Sequence, residues 1–226
     1  MNIQTIQKLF ELCNKTDVDL KAVENFIISS NATGEEITRT AIKLADENSL
    51  EIINFEHFEE RSPAPDELVS SNFIELFDLF IRYGLLPNYV YSDERAAGYN
   101  IMEQIQFIDN GDIAPIVLRK LLEAGGNPNL VVENDTVFRN ADFDVVFDAV
   151  NTDNTHMYDI EVKVWLVLMG YGGILADGRC PVEMKEGYSV EIFREFEKFH
   201  YKIEFENKDW TMYIFDKSTK EVVATL

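Results

Sequence analysis

Two periodicities divide the chain. Up to about residue 176 apolar side chains recur every three or four positions, the spacing of helices that bury one face; beyond residue 200 they alternate with polar ones, the spacing of strands. Ile3, Ile6, Leu9, Phe10 and Cys13 predict a first helix that ends at Asn14-Lys15. Thr16-Asp17-Val18-Asp19 has the form of a capping box, and Leu20, Val23, Phe26 and Ile27 predict a second helix ending near Ser30. Thr33-Gly34-Glu35-Glu36 opens a third in the same manner, with Ile37, Ala41, Leu44 and Ala45 on its apolar face. Arg61-Ser62-Pro63-Ala64-Pro65-Asp66 interrupts the pattern, because each proline disfavours helix at the residue before it.

After that break Phe73, Leu76, Phe77 and Phe80 predict a strongly apolar helix stopped by Gly84. Ala97, Ile101, Ile105 and Ile108 place the next at about Asp93 to Ile108. Asp112 can cap a helix whose first turn tolerates Pro115 and whose face carries Ile113, Val117 and Leu121, with Gly125 as its stop. Phe143, Val146, Phe147 and Val150 predict one more. Met157, Ile160, Val164 and Val167 predict the last, ending at Gly170-Tyr171-Gly172-Gly173.

In the tail Tyr201, Ile203 and Phe205 alternate with charged residues, Trp210, Met212 and Ile214 form a second alternating run, and Val222 to Leu226 is short and β-prone. Asn207-Lys208-Asp209 and Lys217-Ser218-Thr219-Lys220 supply turns, so three antiparallel strands follow an amphipathic helix near Ser189 to Phe199. The division expected is a helical domain over 1–184 and a helix with a three-stranded sheet over 185–226. That tail either caps the last helical pair or offers a binding surface of its own.

One segment recurs within the helical part. Arg82-Tyr83-Gly84-Leu85-Leu86-Pro87-Asn88 matches Glu123-Ala124-Gly125-Gly126-Asn127-Pro128-Asn129 in the placing of Gly, Pro and Asn. The unit of apolar helix, glycine stop and Pro-Asn loop resembles the second helix and following loop of an ankyrin repeat. Arg39-Thr40-Ala41-Ile42-Lys43-Leu44-Ala45 is the nearest approach to that family's Thr-Pro-Leu-His-x-Ala opening helix, without its Pro and His. Gly84 and Gly125 are 41 residues apart and Gly125 and Gly170 are 45 apart, and equating Phe26-Ile27 with Phe80-Ile81 gives 54 for the first interval. Ankyrin repeats recur at about 33 residues, so the helices here are expected to be longer, and another helical-hairpin solenoid stays open. The resemblance covers roughly residues 16–176 and implies a mainly α fold, an ankyrin-like helical-hairpin array with a small C-terminal antiparallel β meander. It also implies a protein that binds other proteins through loop tips and adjoining helices. Those tips carry Tyr89, Tyr91, Asp93, Glu94 and Arg95 in one loop and Leu130, Glu133, Asn134 and Asp135 in the next.

Composition narrows the partner. With 226 residues, 46% hydrophobic and 27% charged, the chain belongs with folded proteins, and its formal net charge is −21. From Lys185 onward 7 Lys and Arg stand against 9 Asp and Glu, net −2, which leaves −19 on the first 184 residues. Such a charge disfavours nucleic acid and anionic membranes and suits a basic protein partner, as an acidic inhibitor or immunity-type protein would require; solubility alone would also account for it. Cys13 and Cys180 are too far apart in sequence to suggest a disulfide framework or thiolate metal site. The first residues lack the basic head and apolar core of a signal peptide, and the apolar run Val164 to Ala176 is too short to span a bilayer, so a cytosolic location is expected.

Catalytic signals are sparse. The chain carries no phosphate-cradling glycine loop, nucleophile elbow or paired-histidine zinc motif. His57 lies among carboxylates in Phe55-Glu56-His57-Phe58-Glu59-Glu60, where a solvated acidic face explains it as well as proton transfer does. Asp142, Asp144 and Asp148 offer oxygen ligands without the surroundings of a calcium loop. The expectation is therefore a non-catalytic interaction protein with neither metal nor cofactor; the alternative is a hydrolase or nucleotide-processing enzyme using His57 or the Asp142 cluster.

Overall fold

The computed structural model describes residues 2–47, 72–91, 99–106, 108, 112–132, 135–140, 155–206 and 209–226. The chain forms two compact units, Met1–Gly126 and Asn127–Leu226. Helices dominate and an antiparallel meander closes the sequence, as the two periodicities predict. The proline-containing break at 61–66 and the helix expected over Phe143–Val150 lie outside the described residues.

In the first unit α1 (Ile3–Cys13), α2 (Leu20–Ser30), α3 (Gly34–Glu47), α4 (Phe73–Arg82), α5 (Ile101–Ile105) and α6 (Ile113–Glu123) pack in two rows. One row runs α1, α3, α5 and the other α2, α4, α6, with α1 on α2, α3 on α4 and α5 on α6. The predicted apolar faces meet between them: Leu9, Val23, Ile27, Ile37, Ala41, Leu76, Phe77, Phe80, Ile105, Val117 and Leu121 are buried. Phe77 joins Phe73 and Phe80 at ring separations of 5.0 and 5.8 Å, the distances of favourable aromatic pairs.

Three helix starts differ from expectation. α2 is capped by Asp19, whose carboxylate accepts from the Lys21 and Ala22 amides at 3.1 and 3.0 Å, and not by Thr16. Val18 before the cap and Val23 one turn inside are both buried, the arrangement of a hydrophobic staple, and this sets the later start. α5 begins at Ile101, not near Asp93, because Asn100 caps it from within a strand and accepts from the Met102 amide at 2.9 Å. Asp112 stands at the N-cap of α6 without a side-chain bond to that helix's amides. The Thr33 start of α3 is the reciprocal box expected: Glu36 N donates to Thr33 Oγ1 at 3.3 Å and Thr33 N to Glu36 Oε2 at 3.0 Å. Glu36 Oε1 also accepts from the Asn2 amide, tying the start of α1 to α3. Chiefly the Thr33 amide, helped by that of Asn2, holds the Glu36 carboxyl below the ordinary glutamate range although burial pushes it up.

The second unit is built around α8 (Thr155–Gly170), with α7 (Val137–Asn140) and a 3₁₀ helix (Val190–Lys198, broken at Glu195) packed on it. From Val162 to Met169 every residue of α8 except Lys163 is buried, which is why this stretch reads as almost continuously apolar. Phe138 stacks on Trp165 at 5.9 Å, and a Cβ on Gly173 would lie 2.4 Å from the Phe138 ring, so this position has no room for a side chain. The meander is β6 (Phe199–Glu206), β7 (Asp209–Asp216) and β8 (Val222–Thr225), joined by a fourth strand, β5 (Glu183–Met184), in the order β5-β8-β7-β6. Met212, Ile214 and Val223 are buried; the Trp210 side chain lies outside the described residues. In the β7–β8 turn Asp216 accepts from Ser218 and Thr219, and these bonds pull its carboxyl down to about 2.

The helix ends share one device. α2, α4, α6 and α8 are each followed by a left-handed residue, Asn31 (φ 54), Gly84 (φ 92), Gly125 (φ 97) and Gly172 (φ 93). The next amide then reaches back to a carbonyl in the last turn: Ala32 to Ile27 at 3.1 Å, Leu85 to Phe80 at 2.9 Å, Gly126 to Leu121 at 3.0 Å and Gly173 to Leu168 at 3.0 Å. These are Schellman closures, and the last stop is Gly172 rather than Gly170.

Gly125→Val should lower stability by on the order of 1–3 kcal/mol, because a β-branched residue is strained at positive φ, whereas Asn31→Gly should change it by no more than a few tenths, a contrast read from urea midpoints. Equal losses would remove the closures as the cause. For Glu36 the folded state favours the carboxylate, so its contribution is present above the unfolded pKa and disappears as pH falls through the lower folded value. Glu36→Gln should accordingly be less stable than the wild type at neutral pH and lose less on acidification. Parallel stability curves from pH 7 to about pH 3 would refute this.

Candidate partner-binding surface

The loop after α4 is fixed by anchors on both sides. Beyond Gly84, Pro87 and Asn88 form a turn, and β1 (Val90–Tyr91) pairs with β2 (Tyr99–Asn100) in an antiparallel hairpin. Buried Asn100 donates to the carbonyls of Pro87 and Tyr89 at 2.8 and 2.9 Å while capping α5, so one side chain anchors the hairpin base and starts the next helix. Asn88 Nδ2 donates to the Gly125 carbonyl at 2.8 Å, linking this loop to the α6 closure. On the other side Leu86 N donates to Thr38 Oγ1 at 2.8 Å, and Gly34 lies so close to the Gly84 carbonyl that an added Cβ would be 2.2 Å from its oxygen.

On this base Tyr89 and Tyr91 meet Arg39 of α3. The Tyr89 hydroxyl accepts from Arg39 Nε and Nη2 at 3.2 and 3.1 Å and donates to Glu35 Oε1 at 2.7 Å. Glu35 and Arg39, one helical turn apart, also approach to 3.5 Å. The guanidinium lies 4.1 Å from the centre of the Tyr91 ring, which stacks on Tyr99 at 6.3 Å. Burial, and then the bond to Glu35, pushes the Tyr89 phenol up, while Arg39 opposes the shift. The Arg39 side chain keeps 20% exposure and that of Glu35 41%, and Val90, between the two tyrosines in sequence, is 38% exposed. The outcome is a guanidinium oriented by two tyrosines and a carboxylate. Such a group can hold a carboxylate, a backbone carbonyl or an aromatic face.

The loop after α6 follows the same plan in the second unit. Asn129 Nδ2 donates to the Gly172 carbonyl at 2.8 Å and its Oδ1 accepts from Ile174 N at 3.1 Å. β3 (Val131–Val132) pairs with β4 (Asp135–Thr136) in a second hairpin. Leu130 is half-buried, its amide donating to Asn127 O and its carbonyl accepting from Val137 N. Asp135 is half-buried opposite Val132 and accepts from the Thr136 amide at 2.7 Å, while Val131 is 61% exposed.

Of the residues expected at the tips, Tyr89 and Tyr91 thus come together, and Leu130 and Asp135 flank the second hairpin. Asp93, Glu94, Arg95, Glu133 and Asn134 lie outside the described residues, as do His57, Asp142, Asp144 and Asp148. Glu35 and Arg39 were not anticipated; their i, i+4 spacing with opposite charge was the available signal. A groove of about 290 Å³ between α2 and α4 is lined by Leu20, Lys21, Glu24, Glu75, Asp78, Leu79 and Arg82. Glu24 there takes Arg82 at 3.6 Å and the Tyr83 hydroxyl at 2.9 Å, and Asp78 takes Lys120 at 2.7 Å. Among the described residues no helix is long and apolar enough to cross a membrane. No family model, curated protein or solved structure matches the chain.

Tyr89→Phe keeps the ring and removes the hydroxyl that joins Arg39 to Glu35. A loss of about 0.5–1.5 kcal/mol in chemical denaturation is expected, with the fold unchanged by circular dichroism. No loss would mean that the junction is already satisfied by water and that the hairpin is held by Asn100 alone.

Proposed function

We propose that the chain is a non-catalytic, ankyrin-like protein-interaction module acting in the cytosol. Its acidic character suits it to mask a basic protein partner, in the manner of an inhibitor or immunity-type protein. Neither nucleic acid, membrane, metal nor cofactor is part of this reading. The observation that carries it is the Arg39–Tyr89–Tyr91 cluster on a hairpin anchored by Asn100: an arginine and two tyrosines, residue types that dominate binding energy, held by a scaffold that spares them much ordering on association.

Support comes from three further features. The two helical rows of the first unit, α1-α3-α5 and α2-α4-α6, stack helical pairs side by side as a solenoid does. A left-handed closure follows each of α2, α4, α6 and α8, and a two-stranded hairpin stands six residues beyond Gly84 and again six beyond Gly125. The −19 carried by the first 184 residues supplies long-range attraction to a basic protein, with the cluster giving short-range specificity.

Affinity capture at low and high salt, with identification of what elutes, would supply the partner, and association kinetics then test the mechanism. The association rate should fall steeply with added salt, since screening shortens to about 8 Å at physiological ionic strength. Tyr91→Ala should weaken binding by ~2 kcal/mol if that ring is a hot spot, with stability altered by less than about 1 kcal/mol. A salt-independent rate would remove charge from the mechanism, and unchanged affinity in a Tyr89→Ala, Tyr91→Ala double variant would put recognition elsewhere.

A further inference from the structure

The junction of Arg39, Tyr89 and Glu35 leaves one donor group and one acceptor unused, and together they describe a ligand. A guanidinium carries five N–H donors. Nε and Nη2 both donate to the Tyr89 hydroxyl, at 3.2 and 3.1 Å, and Nη2 also approaches Glu35 Oε1 to 3.5 Å. Among the described residues no atom accepts from Nη1, although the Arg39 side chain is only 20% exposed. Glu35 is the mirror case. Its Oε1 takes the Tyr89 hydroxyl at 2.7 Å, while its Oε2 takes nothing from any described residue. Nη1 and Nη2 share a carbon, as do Oε1 and Oε2, so the 3.5 Å approach keeps Nη1 within about 8 Å of Oε2.

We propose that this pair recognises a primary carboxamide, the Asn or Gln side chain of the protein partner, whose carbonyl oxygen accepts from Arg39 Nη1 and whose NH2 donates to Glu35 Oε2. The inference rests on the interaction reading above and names the group that the partner presents to this cluster. Charge selects against the alternatives. A carboxylate would gain Nη1 but meet Glu35 in a chain of net −21, and an ammonium or guanidinium would gain Oε2 but meet Arg39. A neutral group with one acceptor and one donor suits both.

Geometry selects further. The N–H and C=O of a trans peptide bond point in opposite directions, so a main chain offers both on one side only as a strand, at every second residue, and would need a row of matching groups. Here there is a single pair. A carboxamide sets its oxygen and one N–H side by side, about 2.2 Å apart, and two hydrogen bonds of about 2.9 Å complete the span. The plane of the guanidinium is also set before the ligand arrives. Tyr91 covers one face, its ring centre 4.1 Å from the guanidinium carbon, and the Tyr89 hydroxyl holds the edge that carries Nε. Nη1 is therefore already aimed, and less ordering opposes binding.

The N-acetyl, N′-methylamide derivatives of Asn, Gln, Glu, Lys and Ala test this in the full chain. All carry the same main-chain amides and differ only in the side chain. Each is titrated at constant ionic strength while NMR follows the Arg39 guanidinium N–H and the Tyr91 ring. The Asn or the Gln compound should shift these signals saturably, with a dissociation constant about tenfold or more below those of the Glu, Lys and Ala compounds. Arg39→Lys keeps the charge and removes Nη1, and Glu35→Ala removes Oε2. Followed at the Tyr91 ring, each should weaken the preferred compound by about tenfold or more, with melting curves checking the fold. Equal binding of the Ala compound would assign the contact to main chain, and tighter binding of the Glu or Lys compound would assign it to a charge. Either result, or no saturable shift with both carboxamides, would overturn the proposal. The titration uses no partner, so its failure leaves the salt-dependent association standing, and a salt-independent association leaves the titration standing.

Discussion

A helix that must hand its chain back to the next element leaves its last carbonyls without amides, and the way those carbonyls are satisfied decides where the chain can go. Here the answer is the same after α2, α4, α6 and α8: one residue in the left-handed region and one amide bonded back into the last turn. Three of those residues are glycines and the fourth is asparagine, the non-glycine type that tolerates this conformation most readily. Each closure turns the following residues off the helix axis at once. The buried faces of α4 and α6 can therefore be short and densely aromatic or aliphatic, and the loops begin at defined points.

The loops then hold to one another through side chains rather than through more backbone. Asn88 and Asn129, each four residues past its glycine, donate to the carbonyl of a later left-handed glycine, Gly125 and Gly172 respectively. Closure and latch thus use the same residue, its φ for the turn and its carbonyl as acceptor. Glycine serves both ends of this arrangement, since a Cβ at Gly34 would strike the Gly84 carbonyl. Above this framework the Arg39 cluster faces opposing demands. Its hydrogen bonds hold the hairpin to α3, while Arg39 and Glu35 stay partly exposed.

Much of this was legible beforehand, and the reasons are local. Helical faces such as Leu76, Phe77 and Phe80 announce themselves because burial and the 3.6-residue period act on the same few positions. Gly125 and Asn127-Pro128-Asn129 could be read because helix closure depends on a single residue's backbone freedom. The misplaced start of α5 shows the limit. Ala97 and Ile101 fit a helical period, yet Asn100 serves the hairpin and the helix cap together, a tertiary role that no window of sequence exposes. β5 was missed for a similar reason: two residues carry no period, and Glu183 and Met184 become a strand only by pairing with Thr225 and Ala224. The Tyr89 and Tyr91 site was half visible. Tyrosines in a loop suggest recognition, but Arg39 lies 50 residues from Tyr89 along the chain, and only the fold brings them together.

The asparagine latches bear on how such a scaffold could be respecified. One joins residues 37 apart and the other residues 43 apart, yet both end on the same atom of the same kind of turn. Chain length between the anchor points is therefore a free variable. Residues added to a hairpin tip would change the outward surface while leaving donor, acceptor and left-handed glycine as they are. Insertion, whether by natural drift or by grafting a foreign peptide, is easiest where the residues that anchor a loop lie outside its tip, as Asn88 and Asn129 do here.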